Sequence, residues 1–144
     1  MSVDEIVVGL DFDISSRTAL HWAAQAARDS GRPLVAVHVL DDVSRRRDDG
    51  HGQVALLADD EVEHGYRHAI LSEFENVHPD PSWRVRFARG PAAQALVQAA
   101  DHAAMLVVGT QEHVGLARLL DGSVSHYCVS HANCPVVVVP PTPS

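Results

Sequence analysis

Two glycines bracket the segment where this sequence concentrates its chemistry. Gly109 closes the apolar run Met105 to Val108, and Gly122-Ser123 opens the next helical stretch, so a loop at a sheet's carboxyl edge leads into a helix start. Bare N–H groups at such a place meet an anion, and the helix dipole adds a partial positive charge. Phosphate binding is the chemistry to expect. Glu112 lies inside the same loop, where it sets a carboxylate and side-chain bulk against an anionic ligand. Like charges a few ångströms apart cost on the order of 1 to 4 kcal/mol, depending on exposure. His113 offsets that charge when protonated, although loop histidines without a role are the commoner case.

Asp11 and Asp13 follow the first apolar run. Such a pair suits Mg2+ or acid–base exchange, and it equally suits capping of the following helix. The sequence sets no base against an attacking water, so binding is expected rather than catalysis, and no catalytic residue is assigned. Among the ten histidines, His64 and His68 stand one turn apart on a predicted helix, the spacing that lets two imidazoles face one ion. No third ligand follows at motif spacing, so no metal site is assigned and surface buffering is the default.

The elements that must position these residues alternate from end to end. Ile6 to Leu10 reads as a short strand, Leu34 to Leu40 as the second, and Trp83 to Phe87, with Arg84 and Arg86 alternating, as a third nearer the sheet's edge. Met105 to Gly109 and Val136 to Val139 are the fourth and fifth. Ser15 or Ser16 is placed to cap a first helix whose Ala19, Leu20, Ala23, Ala26 and Ala27 repeat at helical spacing, with Trp22 beside that stripe and core-facing, until Gly31 and Pro33 stop it. A second helix from about Val54 to Asn76 carries Leu56, Leu57, Val62, Tyr66, Ile70, Leu71 and Phe74, and His78-Pro79-Asp80-Pro81 breaks it. A third, rich in alanine, starts at Gly90-Pro91 and runs to about His102. The last begins at Gly122-Ser123 and ends where Asn133 takes the left-handed conformation. Between the second strand and second helix, Asp41 to Gln53 is polar and glycine-bearing, a mobile loop in expectation. Alternating strands and helices predict an α/β fold with a parallel sheet covered on both faces.

With 144 residues, 46% of them hydrophobic, the chain suits one well-buried domain, residues 1–144. No apolar run approaches the ~20 residues of a membrane span, and MSVDEIVVGLD lacks the regions of a signal peptide. A cytoplasmic protein without a membrane partner is expected. The formal charge of -8 argues against nucleic acid, whose affinity comes largely from phosphate neutralisation by Lys and Arg. Arg45-Arg46-Arg47 is flanked by Asp41, Asp42, Asp48 and Asp49, which nearly cancel its field. Cys128 and Cys134, without C-x-x-C spacing, read as reduced thiols.

Over its length the chain resembles the universal stress proteins. IVVGLD with SSRTALHWAAQAA resembles that family's first strand and helix, ARGPAAQALVQAA its third helix, and GSVSHYCVSHANCPVVVVP its ending. The spacing from Gly109 to Ser123 matches the family's G-x-x-G-x9-G-[ST] signature except for Glu112 in place of the second glycine. The resemblance implies a Rossmann-like, doubly wound five-stranded parallel sheet in the order 3-2-1-4-5 with four main helices. It also implies an adenine nucleotide, ATP or AMP with Mg2+, at the carboxyl ends of strands one and four. Asp11 matches the aspartate near base or ribose, and Val39 the position beside adenine. Gly109, Gly122 and Ser123 match phosphate contacts, and Ser125 lies one helical step further on. Phe12-Asp13 replaces the usual Gly-Ser, and Glu112 is expected to weaken or abolish binding. A response-regulator receiver does not fit, because Phe87-Ala88-Arg89 and Pro140-Pro141 stand where it needs an aspartate and a lysine.

The expected function is a stress-response regulatory domain with a degenerate nucleotide site; the alternative is a nucleotide-free dimeric interaction module, and a slow ATPase comes third. An apolar edge strand at Val136 to Val139 predicts a homodimer through that edge.

Overall fold

The computed structural model describes residues 4–12, 14–40, 52–110 and 124–141. Its elements, in chain order, are β1 (Ile6–Gly9), α1 (Ile14–Ser30), β2 (Leu34–Leu40), α2 (Gly52–Glu75), β3 (Arg84–Arg89), α3 (Ala92–Ala99), β4 (Met105–Gly109), α4 (Val124–His131) and β5 (Val136–Val139). The predicted mobile loop falls outside the described residues as far as residue 51, and α2 has begun at Gly52.

All pairings are parallel, and the sheet order is β3-β2-β1-β4-β5. Ile6 sits opposite both Leu34 and Met105, which makes β1 the centre from which the chain winds in both directions. Because both faces of a central strand are covered, β1 is a continuous apolar run with Ile6, Val7 and Val8 wholly buried. On one face Ile6, Val8 and Ala36 pack against Ala19, Leu20 and Ala23 of α1 and Ile70 and Phe74 of α2. On the other Val7, Val35, Val37 and Leu106 meet Leu96 of α3 and Cys128 of α4. β3 keeps its alternation at the margin, Arg84 and Arg86 exposed and Val85 and Phe87 partly covered.

The helix stops are local. Gly31 adopts φ 71°, and the Arg32 N–H donates to the Ala27 carbonyl at 3.1 Å, the long bond of a Schellman motif. Three expectations need correction. Ser15 and Ser16 lie inside the first turn of α1 rather than ahead of it. Trp22 is 41% exposed, because the buried stripe of α1 is filled by Ala19, Leu20, Ala23, Ala24 and Ala27 and Trp22 falls outside it. Asn133 does not carry the left-handed turn; His78, with φ 53°, is the non-glycine residue that does so among the described residues. The Asn133 side-chain amide instead donates to Asp101 at 2.6 Å, joining the end of α4 to the end of α3.

Both cysteines are free thiols. Burial, and then the neighbouring Cys134, push the Cys128 thiol up to about 11. Its proton is therefore held more tightly in the folded chain than in the unfolded one. The stability this contributes is complete below pH 9, the ordinary thiol value, and is lost as the pH rises towards about 11. Urea melts across that window should show Cys128→Ser losing less stability with rising pH than the parent. A thiol reagent at pH 8 should label Cys134 well before Cys128, as peptide mass spectrometry would record.

Candidate functional site

At the carboxyl ends of β1, β2 and β4 the chain leaves a cleft of about 120 Å3. Its place follows from topology: from β1 the winding runs one way to β2 and the other way to β4, so the carboxyl ends of these strands border the point where the winding reverses. Gly9 and Asp11 contribute from β1 and its loop, Val37 to Val39 from β2, and Gly109 and Thr110 from β4. Ser125, buried in the first turn of α4, closes another side. Of the residues assigned from sequence, Asp11, Val39, Gly109 and Ser125 are thus brought together on one cleft. Glu112, Gly122 and Ser123 lie outside the described residues, as do His113 and Asp13.

The β1–α1 loop is held by backbone and hydroxyl bonds. Leu10 continues the ladder, its N–H donating to the Val37 carbonyl at 2.9 Å. The Asp11 N–H donates to Ser16 Oγ at 2.5 Å, and that hydroxyl lies 3.3 Å from the Asp11 carbonyl. Asp11 Oδ1 accepts the Phe12 N–H at 2.9 Å, which folds the carboxylate back over its own loop. Arg17 adds a bond from Nη1 to the Phe12 carbonyl at 3.3 Å. Ser16 therefore serves the loop rather than the helix end.

Gly109 has a packing reason of its own. A Cβ built there would lie 2.6 Å from the Ser15 carbonyl carbon, so any side chain forces the first turn of α1 away from β4. Gly9 stands in a milder version of the same constraint, its virtual Cβ 3.0 Å from Leu96 Cδ1. A role in phosphate approach at Gly109 is separate from this steric requirement, which the helix–sheet contact alone imposes.

His38 went unassigned from the sequence. It is 4% exposed on β2, and Nδ1 lies 2.9 Å from the Leu10 carbonyl. A carbonyl only accepts, so Nδ1 carries the proton. Phe12 packs edge-on to this ring at 5.3 Å and against Tyr66 of α2 at 5.2 Å; Phe87 of β3 completes the group at 6.1 Å from His38. The one signal for it was a polar residue inside the apolar run LVAVHVL. Thr110, buried with its N–H bonded to the Val139 carbonyl at 3.2 Å, was also missed.

His64 and His68 both stand exposed on α2. Among the described residues no group of three or more His, Cys, Asp or Glu side chains is arranged to hold a metal ion. A cleft of this size is below the ~300 to 1,000 Å3 of ordinary ligand pockets. The described walls leave room for a group the size of one planar base or sugar.

The model of the universal stress protein family matches residues 2–140. The chain belongs to that family. One relative is a universal stress protein of Mycolicibacterium smegmatis, 30% identical over 141 residues, which cover 93% of this chain and 47% of that protein. The chain spans about half the length of the curated relatives it matches. A universal stress protein solved in complex with cAMP shares the fold at TM-score 0.69 and 22% identity, over 99% of this chain and 100% of that one. Another, from Archaeoglobus fulgidus in complex with dAMP, gives 0.61 at 22%, over 96% and 99%. No helix among the described residues of this family member is long and apolar enough to cross a membrane.

The Gly109 contact generates a direct test. Gly109→Ala should destabilise the chain by roughly 1 to 3 kcal/mol, the usual penalty for overpacking, read from urea unfolding. Ser16→Ala, which removes the hydroxyl from the Asp11 N–H, should cost about 1 to 3 kcal/mol if that amide is left unpaired. Unchanged midpoints for both would contradict the geometry described.

Proposed function

We propose that this chain is a regulatory domain that binds an adenine nucleotide, ATP or AMP, weakly, through a universal-stress-protein site degraded at Glu112. One observation carries the reading: the described cleft lies where the sheet's winding reverses, with Asp11, Val39, Gly109 and Ser125 on its walls. Nucleotide complexes of two proteins of the same fold agree with that choice of ligand. In this reading Asp11 meets the base or ribose, Val39 the adenine ring, and Gly109, Gly122 and Ser123 the phosphates, with Mg2+ accompanying a triphosphate. Glu112 adds a negative charge to an already anionic neighbourhood. The role is binding and signalling, not turnover.

A second reading is a nucleotide-free dimeric interaction module built on the exposed edge of the sheet. Among the described residues β5 pairs with β4 on one side only. The proposed homodimer forms through Val136 to Val139, where a second copy supplies the missing strand. The two readings share the dimer and differ in the ligand.

Calorimetry of the parent and of Glu112→Gly with ATP and Mg2+ separates them. Weak or undetectable binding is expected in the parent, with a gain of roughly 1 to 3 kcal/mol on substitution, below the upper Coulomb range because a loop carboxylate can turn to water. Tight parent binding unaltered by the substitution would show that Glu112 avoids the site. No binding by either protein would support the nucleotide-free module.

A further inference from the structure

The open edge of β5 has a definite hydrogen-bonding register. Leu106 N–H takes the Pro135 carbonyl at 2.9 Å and Thr110 N–H takes that of Val139 at 3.2 Å, so residues 135, 137 and 139 turn their backbone groups towards β4. In a strand the N–H and C=O of one residue point to the same side and alternate along the chain. Val136 and Val138 therefore direct theirs outward. A second copy running antiparallel uses both of these residues when Val136 opposes the partner's Val138. That register puts Val137 against its own symmetry mate at the two-fold axis, as a non-hydrogen-bonded pair with closely spaced side chains.

Val137 and Val139 belong to the core on the α1 face, Val136 and Val138 to the opposite face. The axis therefore emerges on the α1 face through Val137. α1 packs on β4 and β5, and its other flank meets α2: Arg17 pairs with Glu73, and Arg28 donates to the Val77 carbonyl at 3.0 Å. At 100° per residue, Arg17 and Arg28 fall on one side of the buried stripe of Ala19, Leu20, Ala23 and Ala27, and Trp22 falls on the other. Trp22 thus occupies the flank of α1 towards β5. It is a large apolar ring, 41% exposed, on the same side of the sheet as the half-buried Val137.

Resting on the homodimer reading above, we infer that Trp22 is the anchor of a two-fold interface in which a second copy of this chain covers it. The two indoles approach from either side of the Val137 pair, and each removes from water the apolar margin that β5 and α1 leave open. The partner is a second copy because the edge that needs pairing and the ring that needs covering are set about one self-complementary axis. Strand pairing supplies register; the tryptophan supplies the buried area that interface anchors typically contribute.

Sedimentation equilibrium across a concentration series tests this with the parent, Val137→Lys, Trp22→Ala and Trp22→Phe. The parent is expected to dimerise, and Val137→Lys, which opposes two ammonium groups at the axis, to be monomeric. Trp22→Ala should weaken the dimer about tenfold or more, with Trp22→Phe between it and the parent. Trp22 is a surface residue in the monomer, so the circular dichroism of its variants should match that of the parent. A parent that is monomeric at tens of micromolar, on the order of ordinary dimer affinities, overturns the homodimer itself. A dimeric parent, monomeric Val137→Lys and undiminished Trp22→Ala would keep the homodimer and overturn the role of Trp22.

Discussion

The close approach of the first turn of α1 to the end of β4 is the constraint on which the cleft depends. Ser15 carries its backbone carbonyl into the space that a side chain at residue 109 would fill. With that contact made, α1 crosses β1 and β4 at their carboxyl ends, and Ser16 reaches back to hold the Asp11 amide. The loop after β1 is then fixed beside Gly109 and Thr110 at the end of β4. Helix–sheet packing and ligand access are accordingly decided by the same missing side chain.

The β2 side is organised differently. His38 is a polar group on a buried strand, and its bond to the Leu10 carbonyl satisfies an acceptor just past the end of β1 that a central strand otherwise leaves to solvent or to a neighbour. Phe12, Tyr66 and Phe87 pack around the ring. Beyond them Glu63 joins α2 to β3 through Arg89 at 2.8 Å, and the two arginines near it, Arg89 first, hold its carboxyl below the ordinary range. These pairs are largely exposed and add orientation more than stability. One wall of the cleft thus rests on backbone proximity and the other on an aromatic and imidazole cluster.

Much of the order of elements was decided by sequence alone. Leu34 to Leu40, Met105 to Gly109 and Val136 to Val139 form strands with the bounds their apolar runs predict, because Pro33, Gly109, Pro135 and Pro140 interrupt the backbone pattern locally. Gly31 ends α1 through its own left-handed conformation, and the arginines alternating with Val85 and Phe87 mark β3 as marginal. The gathering of Asp11, Val39, Gly109 and Ser125 on one cleft was readable only by resemblance, since they lie on four separate elements.

Tertiary structure decided what depends on who stands next to whom. Trp22 is a neighbour of core positions in sequence and lies on a surface flank in space, because sheet contact selects one stripe of a helix and its orientation is set by distant strands. Asn133 has the chemistry of a helix stop, yet the nearby Asp101 carboxylate takes its amide. Gly109 reads as a ligand-facing glycine in its motif, while the Ser15 carbonyl makes it obligatory for packing. Local propensity fixes where strands and helices begin and end; burial, steric approach and pairing partners are long-range quantities, and only the folded chain brings them into being.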